Sequence, residues 1–385
     1  MLDQEARLER LLARHPDAAV VEPVPGRQAL VRRDQLLVAG PDAAAVEDRV
    51  RRWCDSRRDE HGVASLRLRP AAGVDVCELA AGLAGDARHR RLGAAPNHLV
   101  QAQPLWWSGP ADLPRPAAPL PAPVPAGPPR REVTIAVLDS GLWPHPWYEH
   151  AAWYAPQRAE AMEDLDADLD FELDAQAGHG TFVAGVLLRR APSARLRAYR
   201  VVGGDGVGDE LDVIRALGRL ADAGGADVVN LSIGCHTYDD RPSPVLARAV
   251  AAFGRGTAVV ACAGNTATDR PFWPAALKPV IAVAALDGPD RAWFSNYGWW
   301  VDACAPGTGV TSSFVRFGAF EGYASWSGTS FAAPDVAGRI AALAAAGGEP
   351  AAAAADRLLA RAARSLPDLG AVVGVTEERV ASGRP

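Results

Sequence analysis

The first hundred residues alternate between two apolar periods. Leu36-Leu37-Val38-Ala39 reads as a strand, after which Val46, Val50 and Trp53 recur at helical spacing. Val63–Arg69 alternates, with Ala64, Leu66 and Leu68 opposite Ser65, Arg67 and Arg69; Val76, Leu79 and Leu83 return to the helical period, and Asn97–Gln103 closes a β-α-β-α-β series. The pattern predicts a small α+β unit over residues 1–103, large enough to fold alone around a thin core. Residues 104–129 then hold ten prolines, in runs such as Leu120-Pro121-Ala122-Pro123-Val124-Pro125. Proline lacks the N–H that a central strand needs, so 104–130 is expected to be an extended, semi-rigid linker.

From Val133 the pattern changes again. Apolar runs at Val133–Leu138, Leu196–Val202, Asp227–Leu231, Ala258–Cys262 and Val280–Ala284 alternate with helical segments near 180–189, 210–223, 244–254 and 330–345. Strands that are apolar throughout, interleaved with helices, predict an α/β fold: a doubly wound parallel sheet covered on both faces, spanning 131–385. Functional residues in such folds sit at the carboxyl ends of the strands. The stretch Ala351–Arg364 reads as a surface helix with Leu358, Leu359 and Ala362 on one face.

Composition narrows the classes. At 49% hydrophobic and 22% charged, the 385-residue chain is ordinary for a globular protein. The net charge of -6 argues against a general nucleic-acid binder, and it is uneven: residues 1–130 carry +2, the remainder -8. All basic residues except Lys278 are arginine. No apolar run reaches the ~20 residues of a membrane helix, and Met1-Leu2-Asp3-Gln4-Glu5-Ala6-Arg7 lacks a signal-peptide pattern, so the expectation is a cytoplasmic protein with no membrane partner. Cys54, Cys77, Cys235, Cys262 and Cys304 are odd in number and widely spaced, which predicts free thiols and neither a disulfide framework nor a metal site.

Three motifs carry candidate chemistry: Ile135-Ala136-Val137-Leu138-Asp139-Ser140-Gly141, Gly178-His179-Gly180-Thr181-Phe182-Val183-Ala184-Gly185 and Ser327-Gly328-Thr329-Ser330-Phe331-Ala332-Ala333-Pro334. They place an acid at a strand end, a histidine opening one helix and a serine opening another. With Val229-Asn230-Leu231-Ser232-Ile233-Gly234 and Ala261-Cys262-Ala263-Gly264-Asn265, this Asp, His, Ser order resembles the subtilisin-like serine proteases, the subtilases, from about Val133 to Gly347. The resemblance implies a serine endopeptidase needing no cofactor. His179 takes the proton of the Ser330 nucleophile, Asp139 fixes the imidazole tautomer, and the Asn265 amide and the Ser330 N–H form the oxyanion hole. It places Pro334 in the first turn of its helix, where a missing N–H is cheap.

By the same resemblance, a peptide or protein substrate lies extended between Ser232, Ile233 and Gly234 on one side and Gly206-Val207-Gly208 on the other. Ser232, Ile233 and Gly234 together with Ala263 and Gly264 then wall a pocket with room for a large apolar side chain. Asp209 and Glu210, after Gly208, are expected as exposed carboxylates at the rim of what resemble the S4 and S2 subsites, where they favour basic residues upstream of the cut. The N-terminal unit resembles the ferredoxin-like propeptides that inhibit subtilases, with Asn97–Gln103 and Pro104-Leu105-Trp106-Trp107 as the segment entering the cleft, so this domain is the expected intramolecular inhibitor. Two rivals remain: a dedicated processing protease for one peptide precursor or partner, and a peptide-binding module that does not cut.

Some features depart from the family pattern. Val186-Leu187-Leu188-Arg189-Arg190-Ala191-Pro192 leaves no space for the calcium loop many secreted relatives insert there. The acids of Glu163–Asp170 are read as a solvated loop, because Leu169 stands where a calcium loop needs glycine. Phe331 is a packing variant of a methionine, Cys235 and Cys262 are expected near the cleft as buried thiols, and Trp143, Trp147 and Trp153 with His145 and His150 are read as packing for a long loop, with no zinc site.

Overall fold

The structure is a computed structural model that describes residues 4–70, 73–85, 92–102 and 113–374. Gln103 and the Pro104–Trp107 segment lie outside the described residues.

A nine-stranded sheet centres the larger unit. Arg195–Arg200, Thr134–Asp139, Val228–Leu231, Ala258–Cys262, Val280–Asp287, Ala303–Pro306 and Gly370–Val372 lie side by side in that order, all parallel. Asp290–Arg291 and Ser365–Leu366 add short antiparallel edges. The central strands are almost wholly apolar because both faces are covered: Val228–Leu231, with Asn230 as its one polar residue, and Ala258–Cys262 are buried at every position. The helix Thr329–Gly347 crosses four of these strands, and His179–Arg190 packs against it. After Thr134–Asp139 the chain forms the strand on one side of it and then returns to form the strand on the other. That reversal opens a crevice at the carboxyl end, where Asp139 sits.

The N-terminal unit is richer than the apolar pattern predicted. Beyond the expected elements it contains the helix Gln4–Arg14, the strand Ala18–Val21 and the strand Cys54–Glu60, which forms a hairpin with Val63–Leu68. The order is β-α-β-β-α-β from Ala29–Ala39 to Ala94–Gln101, with sheet neighbours Cys54–Glu60, Val63–Leu68, Ala29–Ala39, Ala94–Gln101. Cys54–Glu60 is half-buried at two positions and exposed at the other five, so no alternation marks it. Leu36, Val38, Val46, Val50, Leu66 and Leu83 belong to a core separate from that of the larger unit. The last strand runs Ala94–Gln101, three residues earlier than its expected start, and it continues the sheet onto Val207–Asp209 of the larger unit.

In the proline-rich stretch, Arg115–Pro116 pairs with Phe320–Trp326, the outer strand of a hairpin begun by Val310–Phe317. This is an edge position, where a missing N–H leaves no ladder partner unsatisfied. Among the described residues no helix is long and apolar enough to cross a membrane.

Candidate active site

Asp139 ends its strand and His179 opens its helix, and the two side chains meet: His179 Nδ1 lies 2.6 Å from Asp139 Oδ1, both buried. The Ser140 N–H donates to the same carboxylate oxygen at 2.8 Å. Trp326 and Phe331 pack their rings on the imidazole, each 5.4 Å between centroids, and exclude water from the pair. Ser330 is the second residue of Thr329–Gly347. Its Oγ makes no hydrogen bond to His179: the carbonyls of Ser232 at 3.2 Å and Ala102 at 3.3 Å are the alternative acceptors for its single proton, and His179 Nε2 has no hydrogen-bond partner. Phe331, the variant residue, is fully buried, with Phe182 at 4.4 Å.

Asn265 is oriented by the residue before the serine. Its Oδ1 accepts from the Thr329 N–H and the Thr329 hydroxyl, both at 2.8 Å, which leaves the amide N–H₂ as the free end of the side chain. Pro334 differs from expectation. It lies inside the helix, past the first turn, so the carbonyl of Ser330 loses its i+4 donor. Ser232 Oγ donates to that carbonyl at 2.8 Å and is itself held by Asn230 Nδ2 at 3.0 Å. The side chain of Ser232 therefore repairs the helix while its carbonyl touches the Ser330 hydroxyl.

The two edges expected to hold a substrate hold the end of the N-terminal unit instead. Leu99, Val100 and Gln101 pair antiparallel with Asp209, Gly208 and Val207. On the other side, the Gln101 N–H donates to the Gly234 carbonyl at 2.8 Å, and Gly234 returns the bond at 3.0 Å. The Ala102 N–H donates to Gly206 at 3.0 Å. Gly206, Gly208, Ser232 and Gly234 thus line this strand, whereas Ile233 and Ala263 point into the core.

The pocket is narrower than expected: a cavity remains beside Ala102, lined by Cys262, Gly264, Asn265 and Thr266, with Phe272 as one wall. Phe272 packs its ring into the slot between the two glycine walls: a methyl group on Gly234 would overlap the ring, and one on Gly264 would lie 3.0 Å from Cγ. His236 stacks edge-on behind it at 5.2 Å. Burial pulls the His236 imidazole down to about 4, and its ring nitrogens are used by the Pro271 carbonyl and the Thr266 hydroxyl. Cys235 and Cys262 are buried, and burial pushes the Cys262 thiol up to about 12, away from the reactive thiolate. Spacing could not reveal Phe272, because it reaches the slot from a separate loop.

Three charged features also differ. Glu210 is fully buried, in the first turn of its helix with His98 Nδ1 at 2.9 Å, and Asp209 is bound to Arg32 at 2.8 Å, so neither is an exposed rim carboxylate. Both partners come from the N-terminal unit, as do His15 on Asp205, Arg27 on Asp240 and Glu60 on Arg215. Glu163 is buried rather than solvated. The rest of the acidic run is exposed or half-buried: Asp166, Asp168 and Asp170 approach within 4.8 Å, but Arg14 binds Asp168 and Asp174, and Asp166 accepts the N–H groups of Asp170 and Phe171. With a guanidinium already neutralising this loop, EDTA is expected to leave the melting temperature unchanged. A large fall reversed by calcium would overturn that reading. The aromatic loop packs as expected except for His150, which is exposed: His145 is buried on the Gly322 carbonyl at 3.0 Å with Trp147 and Tyr323 around it.

The model of the Subtilase family matches residues 130–375. The thermophilic serine proteinase of Bacillus sp. (strain AK1) is 38% identical over 227 residues, covering 55% of this chain and 52% of that protein. Subtilisin BL of Lederbergia lenta is 36% identical over 222 residues, covering 54% of this chain and 75% of its own. This chain therefore spans about half the length of the first of these relatives. A crystal structure of a lanthipeptide protease superposes with a TM-score of 0.50 at 23% identity, over 62% of this chain and 84% of the other, which is a likeness of fold. Match, crevice and strand order agree, and the chain belongs to the subtilase family.

Proposed function

We propose that this chain is a serine endopeptidase whose nucleophile is Ser330, whose base is His179 and whose orienting acid is Asp139, held latent by its own N-terminal unit. The observation that carries the reading is the Leu99–Ala102 strand, bound on both edges by main-chain hydrogen bonds with its last carbonyl 3.3 Å from Ser330 Oγ. Main-chain pairing is indifferent to side chains, so any extended peptide can take that strand's place. Ser330 Oγ would then turn to His179, whose Nε2 has no hydrogen-bond partner and is the acceptor a general base needs. Catalytic hydrogen bonds of this kind tighten only once substrate is bound. A fluorophosphonate probe tests the reading: Ser330 becomes labelled after the chain is cut within 103–130, and a folded, cut chain that takes no label would instead be a peptide-binding module.

Phe272 bears on substrate class. With its ring in the slot, the residue preceding the cut bond is expected to be small, glycine, alanine or serine. Phe272→Gly should shift the preference toward large apolar residues by about 10-fold or more in kcat/KM, the scale at which a pocket discriminates by size. Cleavage profiles in which the parent already accepts phenylalanine or leucine there would discard the idea.

A further inference from the structure

A second buried carboxylate lies behind the Asp139–His179 pair. Glu163 is 2% exposed, and it comes from the long loop that separates the two motifs. Its Oε1 accepts the Ser140 hydroxyl and the Gly180 N–H, the latter at 3.2 Å, and its Oε2 accepts the Thr181 hydroxyl at 2.5 Å. Both hydroxyls are themselves committed as acceptors, Ser140 Oγ from the Gly180 N–H at 2.8 Å and Thr181 Oγ1 from the Trp143 N–H at 2.7 Å. Each hydroxyl proton is therefore free to point at Glu163, and the carboxylate collects them. Ser140 is the neighbour of Asp139; Gly180 and Thr181 are the first residues after His179. One side chain thus ties the strand end that bears the acid to the helix start that bears the base.

We propose that Glu163 is a positioning residue for the Asp139–His179 pair, and that its charge is coupled to the imidazolium His179 forms during turnover. A carboxylate at the first turn of the His179 helix is favoured by the helix dipole and, when ionised, favours positive charge on the neighbouring ring. The groups that face it are Asp139 from the strand, His179 from the helix, and Tyr148 and Tyr154 from the loop, with Arg200 and Asp164 outside. Burial, reinforced by the Asp139 charge and opposed by the two hydroxyls, pushes the Glu163 carboxyl up to about 7. It gains its proton as pH falls through that value. Below it, the negative charge behind His179 is lost, so imidazolium formation becomes harder on the acid side.

The coupling is reciprocal and can be read at the histidine. The full chain, labelled with ¹³C at histidine Cε1 and assigned with His179→Ala, is followed by NMR from pH 5 to 9, alongside Glu163→Gln. In the parent, the His179 signal bends near pH 7 as Glu163 titrates; in Glu163→Gln that bend is absent. Identical His179 curves in the two proteins overturn the proposal and leave Glu163 a loop anchor. Should Glu163→Gln not fold, Glu163→Asp keeps the charge and moves it by one methylene; a displaced bend is then expected, and an unmoved one overturns the proposal. The significance of the coupling rests on the proposed triad, but the titration needs no turnover. With activity read on chain cut within 103–130, an inactive cut chain beside a bend in the full chain refutes the protease reading alone, and an active cut chain without a bend in the full chain refutes this inference alone.

Discussion

If Ser330 and His179 act as proposed, Ser330→Ala is expected to lower peptide hydrolysis by on the order of 10⁶-fold in kcat, and His179→Ala by a similar factor; that magnitude is the one measured in subtilisin itself. Neither group works alone. A serine hydroxyl is a poor nucleophile until a base removes its proton, and the imidazole has no reaction to assist without it. The double variant should therefore lose no more than either single one. In the proposed triad Asp139 acts one step back, with its Oδ1 2.6 Å from His179 Nδ1, so its removal is expected to leave the ring present but free to adopt the wrong tautomer. Asn265→Ala removes the proposed oxyanion donor and should cost ~10²–10³-fold, a range that also comes from subtilisin. Rates are measured on chain cut within 103–130. A Ser330→Ala chain that retains more than a trace of the parent rate assigns the nucleophile wrongly.

Gln101→Pro should release activity in the uncut chain by about 10²-fold. The substitution deletes the N–H that donates to the Gly234 carbonyl at 2.8 Å and leaves the polypeptide otherwise tethered. Tethering is what makes a modest docking surface effective, since it turns binding into an intramolecular event at millimolar effective concentration and multiplies occupancy by 10²–10⁴. Arg32→Ala works on a different part of the surface by removing the partner of Asp209, and it should release a smaller fraction. Hydrolysis of a fluorogenic peptide is followed from the first minute and the chain length checked by mass. Full activity in uncut parent protein, with no gain in Gln101→Pro, removes autoinhibition from the account.

The larger unit was legible because its central strands are mostly apolar, although the edge strand Arg195–Arg200 carries three arginines, and because its chemistry sits in contiguous motifs. Asp139, His179 and Ser330 each fall at or next to the end of an element whose boundaries the apolar period marks to within two residues, and Asn265 follows its strand by three. Phe272, Glu163 and Glu210 were misread or missed for one reason. Their environment is made by residues distant in sequence, so burial, the property that decides their role, has no local signature. Glu163 looks like the first acid of a solvated run, yet Ser140, Gly180 and Thr181 surround it. The hairpin strand Cys54–Glu60 failed differently: its side chains are polar because almost nothing covers them, and only its backbone pairing makes it a strand.

The strand Leu99–Ala102 also covers two backbone edges, Val207–Asp209 and the segment at Gly234. Once it departs, both stand open with unpaired N–H and C=O groups facing each other across a slot one strand wide. Open edges recruit whatever extended chain is near, so the freed unit is expected to associate with itself at high concentration and to be slowed by its own cleaved products. Under the proposed latency, release would trade one tethered plug for many untethered ones, and the working rate is expected to fall as peptide fragments accumulate.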